Sequence, residues 1–136
     1  MGTVWTNGCF DLLHAGHIDL LRNAKALGNF LIVGLDDDER VRALKGPGRP
    51  YISLADRQVI LQSIRYVDLV VPFKNENDLF SLVGFFRPSI LVESDEYMQD
   101  NPWPEDLVRD VRFMRRIGGL STTSLGTRYQ ATSGKQ

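Results

Sequence analysis

The sequence predicts a single α/β domain built on a doubly wound parallel sheet. Short apolar runs rich in β-branched residues, at 30–35, 69–73 and 89–92, alternate with stretches whose apolar residues recur at helical spacing. Runs of that length without alternating polar residues suit strands covered on both faces. A first strand-like run, Thr3-Val4-Trp5-Thr6, then leads through a loop bearing glycine and histidine into a helical pattern.

With 136 residues the chain holds one domain with a real core. Residues 1–130 are expected to form it, and 131–136 a frayed tail. Hydrophobic residues make up 43% and charged residues 24%, the balance of a soluble globular protein. A net charge of −1 supplies no basic field for nucleic acid or an anionic membrane, so neither partner is expected. The single cysteine, Cys9, excludes an internal disulfide and fits a reducing compartment. No basic region followed by a long apolar run opens the chain, so the expectation is a cytoplasmic protein without signal peptide or membrane span.

In chain order, Ile18, Leu21, Ala24 and Leu27 predict a helix closed by Gly28. The run 30–35 is a buried strand, and Asp36-Asp37-Asp38-Glu39 follows, read first as capping a short helix through Val41 and Leu44, with metal ligation as the alternative. Lys45-Gly46-Pro47-Gly48-Arg49-Pro50 is a loop by its breakers. Ser53-Leu54-Ala55-Asp56 opens a helix whose buried side is expected at Val59, Ile60, Ile64 and Val67. Arg57 and Arg65, eight apart, fall two turns from each other on one face of it. A strand at 69–73 and a helix with Leu79, Phe80, Leu82 and Val83 come next, with Phe85 and Phe86 as core. A strand at 89–92, a loop or lid containing Trp103, a strand with Val111 and Phe113, and a helix opened by Leu120-Ser121-Thr122-Thr123 complete a Rossmann-like order.

The chemistry concentrates in Asn7-Gly8-Cys9-Phe10-Asp11-Leu12-Leu13-His14-Ala15-Gly16-His17. The loop lies at the carboxyl end of the first strand, where open α/β sheets bind ligands, and at a helix start, where anions are favoured. His14 and His17 are the only histidines, and with small residues between them their ring N–H groups reach one space. Read alone, the pair also fits an exposed helix start or a chance metal pair, although no cysteine cluster or third histidine supports zinc. The cations of the Lys45–Pro50 loop can close over phosphate or simply lie in solvent. The hydroxyls of Ser121 and Thr122 suit a phosphate as well as they suit N-capping.

The segment Gly8-x-Phe10-Asp11-x-x-His14-x-Gly16-His17 resembles the signature of the cytidylyltransferase-like nucleotidyltransferases. Leu44-Lys45-Gly46-x-x-Arg49-Pro50 resembles the loop of bacterial heptose-phosphate adenylyltransferases, and 56–68 resembles glycerol-3-phosphate cytidylyltransferases. The resemblance implies transfer of CMP or AMP from CTP or ATP to a small phosphorylated sugar or polyol, with Mg²⁺ on the triphosphate and a homodimer as the assembly. It implies that His14, His17, Lys45 and Arg116 are catalytic, and that Arg57 and Arg65, with Lys45, meet the acceptor. The nucleotide would lie against Gly8, Cys9, Phe10, Asp11, Gly16, Asp95, Ser121, Thr122 and Thr123.

Two places depart from the family pattern. Glu93-Ser94 stands where a lysine or apolar residue and a glycine are usual, and Gly126 stands where a basic residue is usual. These departures motivate a second expectation, a nucleotide-sensing module with this fold and no turnover. Heptose-1-phosphate and glycerol-3-phosphate remain equal as acceptors at this stage.

Overall fold

The computed structural model describes residues 2–94 and 103–114. Its strands are β1 (Thr3–Gly8), β2 (Phe30–Asp36), β3 (Leu69–Phe73), β4 (Ile90–Ser94) and β5 (Val111–Met114). Its helices are α1 (Ala15–Ala26), α2 (Asp38–Lys45), α3 (Leu54–Gln62) and α4 (Glu76–Phe86). The strands form one sheet in the order β3-β2-β1-β4-β5, and every pairing is parallel. The doubly wound reading of the sequence holds. β1 lies at the centre, and the order reverses between it and β4, which leaves a crevice at their carboxyl ends.

Strand alternation divides the core into two layers. Val4, Leu31, Val33, Leu35, Val70 and Val92 pack with Leu21 and Ala24 of α1 and Leu61 of α3. On the other face, Trp5, Ile32, Phe73 and Leu91 pack with Leu79 and Val83 of α4. Trp5, fully buried, pairs in register with Ile32 on one side and Leu91 on the other. Its indole lies over Gly34, where an added Cβ would come within 2.5 Å of Trp5 Cζ2. A glycine inside a strand is otherwise unfavourable, and the close approach of the ring explains this one.

Side chains that can accept a hydrogen bond open the helices: Asp37 accepts from Arg40 N at α2, Ser53 from Asp56 N at α3 and Asn75 from Asp78 N at α4. Asp37 confirms the capping reading of the acidic run.

Three sequence expectations are corrected. α3 stops at Gln62, so Arg65 lies beyond the helix and shares no helical face with Arg57. The buried stripe of α3 is Arg57 and Leu61, with Leu54 and Ile64 packing beside it, while Val59 and Ile60 face outward. Phe85 is 79% exposed rather than core, because Leu79 and Val83 set the inward face of α4. Trp103, in the segment expected as a lid or interface loop, is buried against Phe80 with ring centroids 5.2 Å apart.

Gly34→Ala is expected to cost about 1–3 kcal/mol, because the new methyl group must displace the Trp5 ring from a packed layer. Urea denaturation monitored by tryptophan fluorescence measures it.

Candidate functional site

The β1–α1 connection builds the site from backbone hydrogen bonds upward. His14 is the N-cap of α1, and its Nδ1 accepts from Gly16 N at 3.1 Å. His17 Nδ1 accepts from His14 N at 3.1 Å, so the two imidazoles form a reciprocal capping box. A neutral imidazole that accepts at Nδ1 carries its proton on Nε2. The rings lie 3.9 Å apart between centroids, tilted by 32°, and the backbone bonds fix the N–H of each ring at Nε2. The amides of His14 and Gly16 are therefore taken up by the rings. At these two positions the positive end of α1 acts through the imidazoles and not through bare N–H groups.

The loop that delivers the histidines is strained. Phe10 and Leu12 adopt φ of 47° and 52°, left-handed conformations that cost about 1–2 kcal/mol each for residues other than glycine. Between them Asp11 turns completely inward, where it accepts from Arg49 Nε at 3.0 Å, Tyr51 N at 2.7 Å and Ile52 N at 2.9 Å. Charge-assisted bonds of this kind offset the strain. Phe10 is buried beneath the site, with its ring 5.4 Å from that of His17. Gly8 makes room for it, since a Cβ there would sit 3.3 Å from the Phe10 ring.

Arg57 is 1% exposed and ties the same edge together. Its Nε donates to Ile52 O at 2.9 Å, and Nη1 donates to Cys9 O and Asp36 O at 2.8 Å each. Nη2 reaches Asp38 Oδ1 at 2.7 Å. Arg57 thus joins the ends of β1 and β2, the start of α2 and the segment entering α3. The arginine expected to hold the acceptor is a buried bracket here. Arg65, beyond α3, donates to Tyr66 Oη at 2.8 Å and is exposed. α3 rises about 13 Å from the site edge toward the start of β3, so Arg57 and Arg65 mark opposite ends of the sheet.

Lys45 is the last residue of α2 and is exposed, at the entrance to a loop with Gly46 at φ 103° and Gly48 at φ 88°. Arg49 is buried on Asp11 and lies 4.5 Å over the Tyr51 ring, so the two loop cations have different surroundings. The structure brings together Gly8, Cys9, Phe10, Asp11, His14, Gly16 and His17, and ties the Lys45 loop to them through Asp11. Asp95, Arg116, Ser121, Thr122 and Thr123 lie outside the described residues.

Sequence reasoning missed Asp38 and Asp36 as partners of Arg57. It also missed Glu93, which accepts from Trp103 Nε1 at 2.9 Å at the end of β4. Burial pushes the Glu93 carboxyl above the ordinary glutamate value, against the pull of the Trp103 bond. Asp36 is likewise raised by burial, against its pairing with Arg40. Among the described residues no three His, Cys, Asp or Glu side chains converge to hold a metal ion, so the protein offers no cage for Mg²⁺ there.

Comparison with known proteins places this geometry. The profile of cytidylyltransferase-like proteins matches residues 5–129. The chain belongs to the cytidylyltransferase-like family. It is 41% identical over 129 residues to the bifunctional protein HldE of Wolinella succinogenes, covering 95% of this chain and 27% of that protein. Against HldE of Campylobacter curvus it is 43% identical over 127 residues, covering 93% and 27%. The chain thus spans about a quarter of the length of these curated relatives. A lipopolysaccharide core biosynthesis protein from Thermoplasma volcanium superposes with a TM-score of 0.67 at 25% identity, covering 82% of this chain and 95% of the other. Pantothenate synthetase from Thermus thermophilus shares the fold, with a TM-score of 0.59 at 17% identity over 96% of this chain and 65% of the other. No described helix is long and apolar enough to cross a membrane.

Two outcomes follow. Arg57→Met strands three carbonyls and Asp38, and is expected to cost about 3–5 kcal/mol in urea denaturation. A carboxyl raised by burial favours the folded state when protonated, so the stability it contributes is complete below the ordinary glutamate value and is lost as pH rises through its raised value. Glu93→Gln should therefore match the parent in melting temperature near pH 4 and exceed it increasingly toward pH 7.

Proposed function

We propose that the domain transfers a nucleotidyl group from ATP or CTP to a phosphorylated sugar or polyol and releases pyrophosphate. The observation that carries this is the imidazole pair. Both Nδ1 atoms are held by backbone N–H groups at the start of α1, which presents Nε2–H donors at the carboxyl edge of the central strand. Two such donors, fixed before substrate arrives, suit the oxygens of a polyphosphate undergoing displacement. Among the acceptors, the resemblance of 7–11 and 45–50 to heptose-phosphate adenylyltransferases and the HldE relatives favour ATP and heptose-1-phosphate. The structural neighbour from lipopolysaccharide core biosynthesis points the same way.

In this reading an oxygen of the acceptor's phosphate attacks the α-phosphorus in line. The bond from that phosphorus to the bridging oxygen breaks, and pyrophosphate leaves with the electron pair. The attacking oxygen is already ionised, so no general base is needed. His14 and His17 donate to phosphate oxygens, and Lys45, exposed at its loop, neutralises charge on the nucleotide or acceptor. Asp11 positions the histidine loop and the Lys45 loop against each other. Arg116 with Ser121, Thr122 and Thr123 keep by resemblance the contacts expected of them, while Arg65, at the far end of the sheet, takes no part. Mg²⁺ belongs to the proposal as the counter-ion of the triphosphate, held by phosphate oxygens and water. A homodimer belongs to it as well, and sedimentation checks it.

Pyrophosphate release is measured with ATP and CTP, each crossed with heptose-1-phosphate and glycerol-3-phosphate, with Mg²⁺ and with EDTA. ATP with heptose-1-phosphate is expected to be the productive pair. Nucleotide binding without release across the panel would overturn the catalytic reading. His14→Ala and His17→Ala should each lower kcat by about 10²–10³. His14→Asn keeps a side-chain cap for Gly16, but its shorter amide cannot place an N–H where the imidazole Nε2–H lies, so it should retain stability and lose the rate.

A further inference from the structure

We propose that Asn7 and Glu93 form a hydroxyl-recognition pair for the acceptor, beside the histidine loop. The inference rests on the acceptor being a sugar or polyol phosphate, as above. Thr6 and Val92 are register partners, so the next residues, Asn7 and Glu93, lie one residue from the ends of two adjacent parallel strands. By strand alternation both lie on the face of Trp5 and Leu91, about 5 Å apart in backbone. They flank the crevice between β1 and β4, and Asn7 directly precedes the loop that carries His14 and His17.

Each of the chain's two tryptophans pins one member of the pair. Trp5 Nε1 donates to Asn7 Oδ1 at 3.0 Å, and Trp103 Nε1 donates to Glu93 Oε1 at 2.9 Å. An indole N–H is a donor only, so it decides which way the Asn7 amide faces. The Asn7 NH₂ group and the second oxygen of Glu93 have no further hydrogen bond among the described residues. The result is a donor beside an acceptor, both held by buried rings. Neighbouring hydroxyls on a carbohydrate or polyol match such a pair. A nucleobase edge also presents a donor beside an acceptor. A flat base, however, gains from an exposed aromatic wall, whereas Trp5 is 0% exposed, Trp103 5% and Phe73 2%. The carboxylate also repels phosphate, which assigns the pair to the uncharged part of the ligand.

Asn7→Asp and Glu93→Gln test this while keeping an oxygen for each indole, and thermal melts confirm folding. Each should raise the KM for heptose-1-phosphate about ten-fold and leave that for ATP within two-fold. The double variant exchanges donor and acceptor. Hydroxyls can serve either way, so it should recover most of the lost affinity. A nucleobase has fixed polarity, so a raised ATP KM that the double variant does not restore would overturn the proposal, as would unchanged KM values. Calorimetric titration of heptose-1-phosphate into the same variants reads the pair without turnover. Absent pyrophosphate release with the variant pattern intact in calorimetry defeats the catalytic reading alone. Equal heats across the variants defeat this inference alone.

Discussion

A chain of polar contacts runs from Asp11 through the Ile52 backbone to Arg57, and the carboxyl edge of the sheet depends on it. Ile52 N donates to Asp11, and Ile52 O accepts from Arg57. One residue's backbone thus couples the anionic centre of the histidine loop to the cationic bracket under α2 and α3. Asp11 is 0% exposed, and its charge is matched by Arg49 and two amides; Arg57 is matched by Asp38 and three carbonyls. Buried charges satisfied in this way are sensitive to the loss of any one partner, because each removal leaves a desolvated group behind. That sensitivity lets one arrangement of four chain segments dominate over looser ones.

The consequence for chemistry is preorganisation. The histidine loop takes two left-handed residues, Phe10 and Leu12, and Asp11 between them is the anchor that holds this geometry. The imidazoles are then fixed at their Nδ1 atoms by the helix they cap. A phosphate would meet imidazoles already oriented by their backbone bonds, and such preorientation is what makes electrostatic stabilisation effective. Across the crevice the two indoles fix Asn7 and Glu93 by the same logic. Rigid donors set the polarity of both sides of the site.

Much of this was legible in the sequence. The strands at 30–35, 69–73 and 89–92 were visible because a parallel sheet buries both faces, so its strands read as continuous apolar runs. The histidine loop was visible because its glycines, histidines and aspartate sit between a strand and a helix. α3 was misread for a specific reason. Val59 and Ile60 are apolar and face outward, while the inward face carries an arginine, so hydrophobic periodicity pointed to the wrong side. Arg57 was assigned to the acceptor by resemblance alone; an arginine is rarely buried unless paired, and its partners come from β1, β2, α2 and the 50–53 segment, which no local pattern shows.

The sequence by itself determined the fold class, the order of strands and helices, and the stretch that bears the chemistry. These follow from local patterning, capping residues and turn residues, each read within a few positions. Tertiary structure alone decided that Asp11 and Arg57 brace the site, that Arg65 sits at the far end of the sheet, and that Asn7 and Glu93 stand side by side. Asp11 and Ile52 are 41 residues apart, and Cys9 and Arg57 are 48 apart. Trp103 reaches Glu93 through the packing of α4 against the sheet. Contacts of that range are set by how the layers close, and no local pattern encodes them.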